Sequence, residues 1–428
     1  MNTVQMVGKI KSGELDEKLV LLYGRENVDF QRKRYINALS EFESLYGKDR
    51  DVFILSVPGR TEVSGNHTDH NHGKVIAAAI DLDIIAVAAA NGDSLVRVKS
   101  EGFDEDVCRS DSKEPDESRF FTSEALISGM CRGMVLNGHK AGGFDAYTTS
   151  SVLKGSGLSS SAAFEVMIGT ILNYLYNGGS VENPEIARIA QYAENKWFGK
   201  PCGLMDQTAC AVGGFAEIDF EDPDAAKIEK VDFDLRGKGY TLCITDTGGN
   251  HADLNAEYAA LPTEMKSVAK LFNKEVLRGL TFDELLSRAS EIREKLGDRA
   301  LLRAIHFINE NGRVEKQAAA LKEDNFDLFL ELVKESGRSS FMYLQNVYTT
   351  KNPAEQGLSL ALAISEQVLS HTERRSAWRV HGGGFAGTIQ AFVPTENVGD
   401  YVKAIDSVFG DGACKLLFVR PLGAIRVL

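Results

Sequence analysis

Hydrophobic positions change their period several times along the chain. Over residues 1–50, Tyr, Phe and Leu recur among charged positions at a spacing that predicts helices able to dock on a core. DVFILSV (51–57) is then a β-branched and aromatic run, a buried strand that Pro58-Gly59 ends. IDLDIIAVAAA and SLVRVKS flank Asn91-Gly92 and predict a hairpin. The polar, acidic stretch 101–120 reads as a solvated loop, and FDAYTTSSV (144–152) as a strand. Ala163, Val166, Met167, Thr170, Ile171 and Tyr174 then follow the i, i+3, i+4 spacing of a helix face. Serines stand where that helix starts, and Asn177-Gly178-Gly179 where it stops. Farther on, YTLCITDTGG predicts a strand and about 280–370 is mostly helical. WRVHGGGFAGTIQAFV predicts strand, glycine turn, strand, and KLLFVRPLGAIRVL closes with β character. The sum is an α+β protein in two halves, with a break near 220–235. The expected parts are an extension packing on the core (1–50), a first domain (51–228) and a second (229–428). No repeat or low-complexity tract interrupts them.

Bulk properties narrow the function classes. The 428 residues carry a formal charge of -13, which argues against nucleic acid or an acidic membrane as partner. Cys108, Cys131, Cys202, Cys210, Cys243 and Cys414 form no C-x-x-C pair, so zinc ribbons and a disulfide framework are not expected. Reduced thiols suit a cytoplasmic protein. The N-terminus shows no apolar signal core, and Asp81 and Asp83 interrupt the most apolar run, so no membrane span is expected.

Four stretches carry candidate chemistry. In GNHTDHNHGKV (65–75), His67, Asp69, His70 and His72 are competent metal ligands, although a polar turn with local hydrogen bonds explains them equally well. KGSGLSSSA (154–162) is a glycine-rich loop opening a helix, where free N–H groups and the helix dipole attract anions, phosphate above all. Lys154 adds a cation, and Gly155 and Gly157 permit close approach. The loop is neither a Walker A motif nor a full G-x-G-x-x-G, because Ser160 replaces the third glycine. Glu194 and Asp206 stand twelve positions apart across a Gly/Pro turn. Phosphoryl transfer needs one carboxylate on Mg²⁺ and another near the acceptor hydroxyl. VHGGGFAGT (380–388) puts three glycines between strands, where a ligand can approach. Taken singly, the last three are equally an N-capped helix, two surface acids and a tight turn.

Together the four resemble the GHMP kinases, and within them the galactokinase branch. PGRTEVSGNHTDHNHG is similar to that family's P-G-R-x-N-L-I-G-E-H-T-D-Y-N, KGSGLSSSA to its ATP loop, PCGLMDQ to its catalytic-aspartate segment and HGGGFAG to its third glycine motif. They occur in family order from about 50 to 390. The resemblance implies a two-domain fold, one domain like the second domain of a ribosomal protein and the other ferredoxin-like, with the site between them. It implies an ATP-dependent sugar-1-kinase whose partners are a small sugar and ATP. Asp206 would be the base, or the anionic partner, of the anomeric hydroxyl, with Arg60 beside it. Asn66, His67, Asp69, Gly203 and Tyr258 would line the sugar. Lys154, Gly155, Ser156, Gly157, Leu158, Ser159 and Ser160 would hold ATP, and Ser161 and Glu194 would hold Mg²⁺. His70 and His72 would be structural. Several positions depart from the family pattern. Asn66 replaces the glutamate expected to bind the 6-hydroxyl, which keeps galacturonate, arabinose or an N-acetylated hexosamine open beside galactose. Glu62-Val63-Ser64 replaces N-L-I, Leu153 a proline, His381 a threonine, and SFMYLQNVYT an acidic stretch. A non-catalytic sugar sensor is a further reading, although Ser159, Ser160, Ser161 and Ala162 are intact.

Overall fold

A computed structural model describes residues 1–152, 157–249 and 254–428. In chain order its strands are β1 (Phe53–Ser64), β2 (Lys74–Ala90), β3 (Leu95–Ser100), β4 (Glu105–Arg109), β5 (Phe144–Ser150), β6 (Phe215–Asp219), β7 (Lys227–Val231), β8 (Tyr240–Asp246), β9 (Ala377–His381), β10 (Thr388–Pro394), β11 (Cys414–Leu417) and β12 (Ile425–Arg426). The first sheet runs β12-β1-β2-β5-β3-β4, with β6 and β7 extending from β2; the second runs β11-β8-β10-β9.

β1 and β2 read as almost unbroken apolar runs because both faces of their sheet are covered. Leu55, Val57, Ala86 and Ala88 pack against Ala163, Val166, Met167 and Ile171 of the Ser160–Tyr176 helix. The alternate residues Ile54, Ile85 and Val87 pack against Leu19, Tyr35, Leu39 and Phe42 of the N-terminal helices. The alternation follows from the two-residue period of a strand. Asp83, inside the apolar run, is fully buried and clamps this layer. It accepts hydrogen bonds from Arg34 (2.6 Å), Tyr23 (2.5 Å), Arg420 (3.3 Å) and the Ser56 hydroxyl.

Three local expectations are corrected. Pro58-Gly59 does not end β1. The strand absorbs the proline at a register shift opposite Asp83 and continues to Ser64. Gly59 is required there, since a Cβ would lie 2.9 Å from the Leu158 carbonyl. β2 and β3 form no hairpin, because β5 inserts between them, antiparallel to β2 and parallel to β3. The Asn91 amide binds Asp145 of β5, so turn chemistry here serves a long-range strand. Finally, 101–120 contains β4, paired along β3. The expected break at 228/229 falls inside β7, which pairs with β6, and the second sheet begins at Tyr240. The chain end returns to the first sheet, with β12 on the edge of β1. The predicted helical stretch and the β9–β10 pair across HGGGFAG are present. Among the described residues no helix is long and apolar enough to cross a membrane.

Candidate active site

Arg60 leaves β1 and forks onto Asp206, with Nε 2.7 Å from Oδ1 and Nη2 2.8 Å from Oδ2. Asp206 stands in the first turn of the Met205–Val212 helix. Ser159 precedes the Ser160–Tyr176 helix in the left-handed region (φ 56°) and donates its hydroxyl to Asp206 Oδ2. Arg60 also donates to the Gly157 carbonyl, and its backbone N–H to the Leu158 carbonyl (3.1 Å). The end of the glycine-rich loop is thus tied to β1 and to the aspartate together. Lys154, Gly155 and Ser156 lie outside the described residues. Burial alone would raise the Asp206 carboxyl. The Arg60 charge and the hydrogen bonds from Arg60 and Ser159 outweigh it and hold the group below its ordinary value.

The turn after β1 supplies the next group of residues. His67 takes a positive φ of 57° and donates Nε2–H to the Gly383 carbonyl (2.9 Å). Burial, His70 and His306 push it down to about 4 against Gly383 and Asp69, so it is a neutral imidazole at pH 7. Asp69 is partly exposed and faces the glycine turn before Asp206, where a Cβ on Gly203 would lie 3.2 Å from its Oδ2. Tyr258 donates to the Gly384 carbonyl (2.7 Å) and stands edge-on to Phe385; burial pushes its phenol up to about 12. His70 is exposed, and the His72 carbonyl caps the turn by accepting from Arg278 (2.7 Å). Among the described residues no three His, Cys, Asp or Glu side chains group as metal ligands, which sets the metal reading of this turn aside.

A second acidic group lies behind Asp206. Glu194 opens a π turn (194–198) and is nearly buried. It accepts from Lys200 (3.1 Å) and from the Gln207 amide (2.8 Å), which also reaches Glu165 (3.1 Å). Burial and the Glu194 charge push the Glu165 carboxyl well up, and its buried Oε1 has no partner among the described residues. Ser161 is exposed on the first turn of the adjoining helix. A carboxylate and a hydroxyl are hard oxygen donors, the kind Mg²⁺ accepts alongside phosphate oxygens. The donor set therefore fits that ion.

Asn66 is placed differently from a ligand-facing residue. It is fully buried. Its amide donates to Glu62 (2.9 Å) and the Gly382 carbonyl (2.7 Å), and its Oδ1 accepts from Asn346 (2.7 Å). Its own carbonyl accepts from His306 (2.9 Å). His381 sits alongside. The Glu62 N–H approaches its Nε2 (3.4 Å), so that nitrogen accepts from Thr61 (3.0 Å) while Nδ1–H donates to Thr388 (2.7 Å). Burial and the charges of Arg60 and Arg379 push His381 down to about 3. Glu62, Asn66, His381 and the 340–349 stretch, each a departure from the family pattern, thus meet in one buried network.

Sequence reading marked Glu62 only as a departure from the family pattern, and missed Arg379, Glu165 and Glu310 as parts of this region. An isolated acid in a strand or helix reads as solvent-facing; only its partners, some of them hundreds of positions away, show otherwise. Gln207 and Asn346 lay within quoted motifs but signalled no role. The glycine turn is a stability element as well. Gly384 has φ +77°, and a Cβ there would lie 2.0 Å from the Asn346 carbonyl. Gly384→Ala is expected to cost about 2–4 kcal/mol, read as a lower denaturant midpoint at unchanged m.

Comparison with known proteins identifies the family. Residues 125–214 match the family model of the GHMP kinases N terminal domain. A mevalonate kinase of Methanococcus jannaschii shares the fold at TM-score 0.58 and 16% identity, covering 86% of this chain and 98% of its own. The fold and site define a sugar kinase of the GHMP class, a phosphotransferase that uses ATP. Residues 40–90 match the galactokinase galactose-binding signature. The galactokinase of Streptomyces coelicolor is 30% identical over 378 residues, 87% of this chain and 92% of its own. A Lactococcus lactis galactokinase complexed with galactose superposes at TM-score 0.73 and 22% identity, covering 90% and 98%. The chain belongs to the galactokinase family.

Proposed function

We propose that the protein transfers the γ-phosphoryl group of ATP to the anomeric hydroxyl of galactose, giving galactose 1-phosphate and ADP. The observation that carries this is the Arg60–Asp206 fork, held by Ser159 at the exit of the phosphate loop. An ionised Asp206 beside that loop accepts a hydrogen bond from the sugar hydroxyl and aims its oxygen at the phosphorus. A carboxylate held this acidic is a poor base toward an unreacted alcohol. It orients the hydroxyl first and takes the proton late, as the oxygen gains its phosphoryl bond and acidifies. His67, Asp69, Gly203 and Tyr258 line the sugar side. Leu158 and Ser160, with Lys154, Gly155, Ser156 and Gly157, serve the nucleotide. Ser161 and Glu194 would hold Mg²⁺, which neutralises phosphate charge when bound. The site draws on both 51–228 and 229–428, with 1–50 as an added layer. Six free thiols support a cytoplasmic setting.

The neutrality of Asn66 is weak support for an acidic sugar, because its side chain is fully buried and hydrogen-bonded to Glu62 and Asn346. The intact Arg60, Ser159 and Asp206 group favours turnover over sensing. Coupled ADP release should show turnover with galactose, none with galacturonate and none without sugar. Absence of turnover on galactose overturns the reading.

A further inference from the structure

Glu62 is a buried acid that the phosphotransfer chemistry leaves unused. It lies two positions after Arg60 on β1, in unbroken register with β2, so both side chains leave the same face of the sheet. Two strand residues span about 7 Å. That places Glu62 about one hexose away from the end of the site that Arg60 and Asp206 define. Its two oxygens are in different states. Oε1 accepts from Asn66 (2.9 Å) and Arg379 (3.0 Å), which fixes the rotamer. Oε2 takes no hydrogen bond among the described residues, nor is it one of the fully occluded unpartnered atoms. The side chain keeps 9% exposure, whereas Arg379 beneath it has none. Burial pushes the Glu62 carboxyl up; the Arg379 charge and the Asn66 hydrogen bond oppose this, with smaller effects from Arg60 and Asp69 of the site.

We propose that Glu62 is a specificity residue of the sugar site, its free Oε2 accepting a hydrogen bond from a neutral hydroxyl remote from the reacting carbon. The inference rests on the galactose-kinase reading. It assigns the Glu62–Asn66 pair a division of labour. Asn66 is the sealed spacer that holds the acid, and Glu62 is the member that reaches the ligand. It also makes a sugar carboxylate at that end unwelcome, since two like charges would meet in a partly buried site.

The test is steady-state kinetics of wild type and Glu62→Gln with galactose and its 3-, 4- and 6-deoxy analogues, beside melting temperatures and the ATP KM. Gln keeps the shape and an acceptor for Asn66 and Arg379 but presents an amide to the cleft. The expected result is a galactose KM raised about 10–100-fold, the range for losing a hydrogen bond to a charged acceptor. The ATP KM stays unchanged, and the wild-type penalty against one deoxy sugar disappears in the variant. Loss of a merely structural contact would not erase that one discrimination. If Glu62→Gln does not fold, Glu62→Asp keeps the charge on Arg379 and withdraws the oxygen from the ligand; the same KM rise and the same lost discrimination are expected. A folded variant with wild-type sugar KM and an unchanged deoxy profile overturns the proposal alone. A wild-type protein that turns over no galactose overturns the parent reading and this inference with it.

Discussion

Asp206→Asn is expected to lower kcat by about 10³-fold or more while ATP affinity and melting temperature stay near wild type. The substitution keeps the shape and one acceptor for the Ser159 hydroxyl. It removes the charge that Arg60 grips at 2.7 and 2.8 Å. An amide can still touch the sugar hydroxyl but neither stabilises its developing positive character nor takes its proton. Part of the loss comes from Arg60, which is left without its counter-charge at the reacting end. Single-turnover phosphorylation alongside nucleotide binding separates the two functions, and retained turnover would remove Asp206 from its role. The pH dependence has a defined sign. Asp206 is held below its ordinary value, so the ionised, active form persists as pH falls, and the acid limb of kcat/KM lies below the usual aspartate range.

Elements whose partners are near in sequence were legible; those fixed by distant partners were not. The Ser160–Tyr176 helix follows from its own apolar stripe, and the β9–β10 pair from strands around three glycines. The Asn91-Gly92 turn misled, because β5, some fifty positions on, takes the edge that a hairpin would have used. The Arg60–Asp206 fork spans 146 positions and was reached only through family resemblance. Asn66 shows the limit of reading one position at a time. Alone it suggests a changed sugar contact, whereas in the fold it is fully buried and hydrogen-bonds with Glu62 and Asn346. Position 62 replaces an amide by an acid and position 66 an acid by an amide. The pair is exchanged rather than lost, and the two side chains lie 2.9 Å apart.

Glu310→Ala is expected to destabilise the protein by about 3–5 kcal/mol, the usual cost of breaking a buried ion pair from one side. Glu310 is fully buried in the middle of the Asp298–Lys322 helix. It accepts from the Ser336 hydroxyl (2.5 Å), the Gly65 N–H (3.2 Å), the Ser64 hydroxyl (3.3 Å) and the Arg313 guanidinium. One carboxylate therefore fastens the start of the sugar turn to two helices of the other half, and its loss should loosen Asn66 and weaken galactose binding as well. Burial alone would raise the carboxyl. The charges of His306, Arg313 and Arg379 and the Ser336 hydroxyl pull it from 4.5 to about 2. His306 is itself held down by burial and is neutral at pH 7, so the two arginines carry the effect there. A lowered folded value gives stability that is present above about pH 4.5 and lost as pH falls toward 2. That gap corresponds to about 3 kcal/mol at most. Urea midpoints measured from pH 7 to pH 3 check it. Wild-type stability should fall steeply below pH 4.5, while Glu310→Gln starts lower and falls less across the same window. Parallel profiles for the two proteins would show that Glu310 contributes nothing to the acid limb.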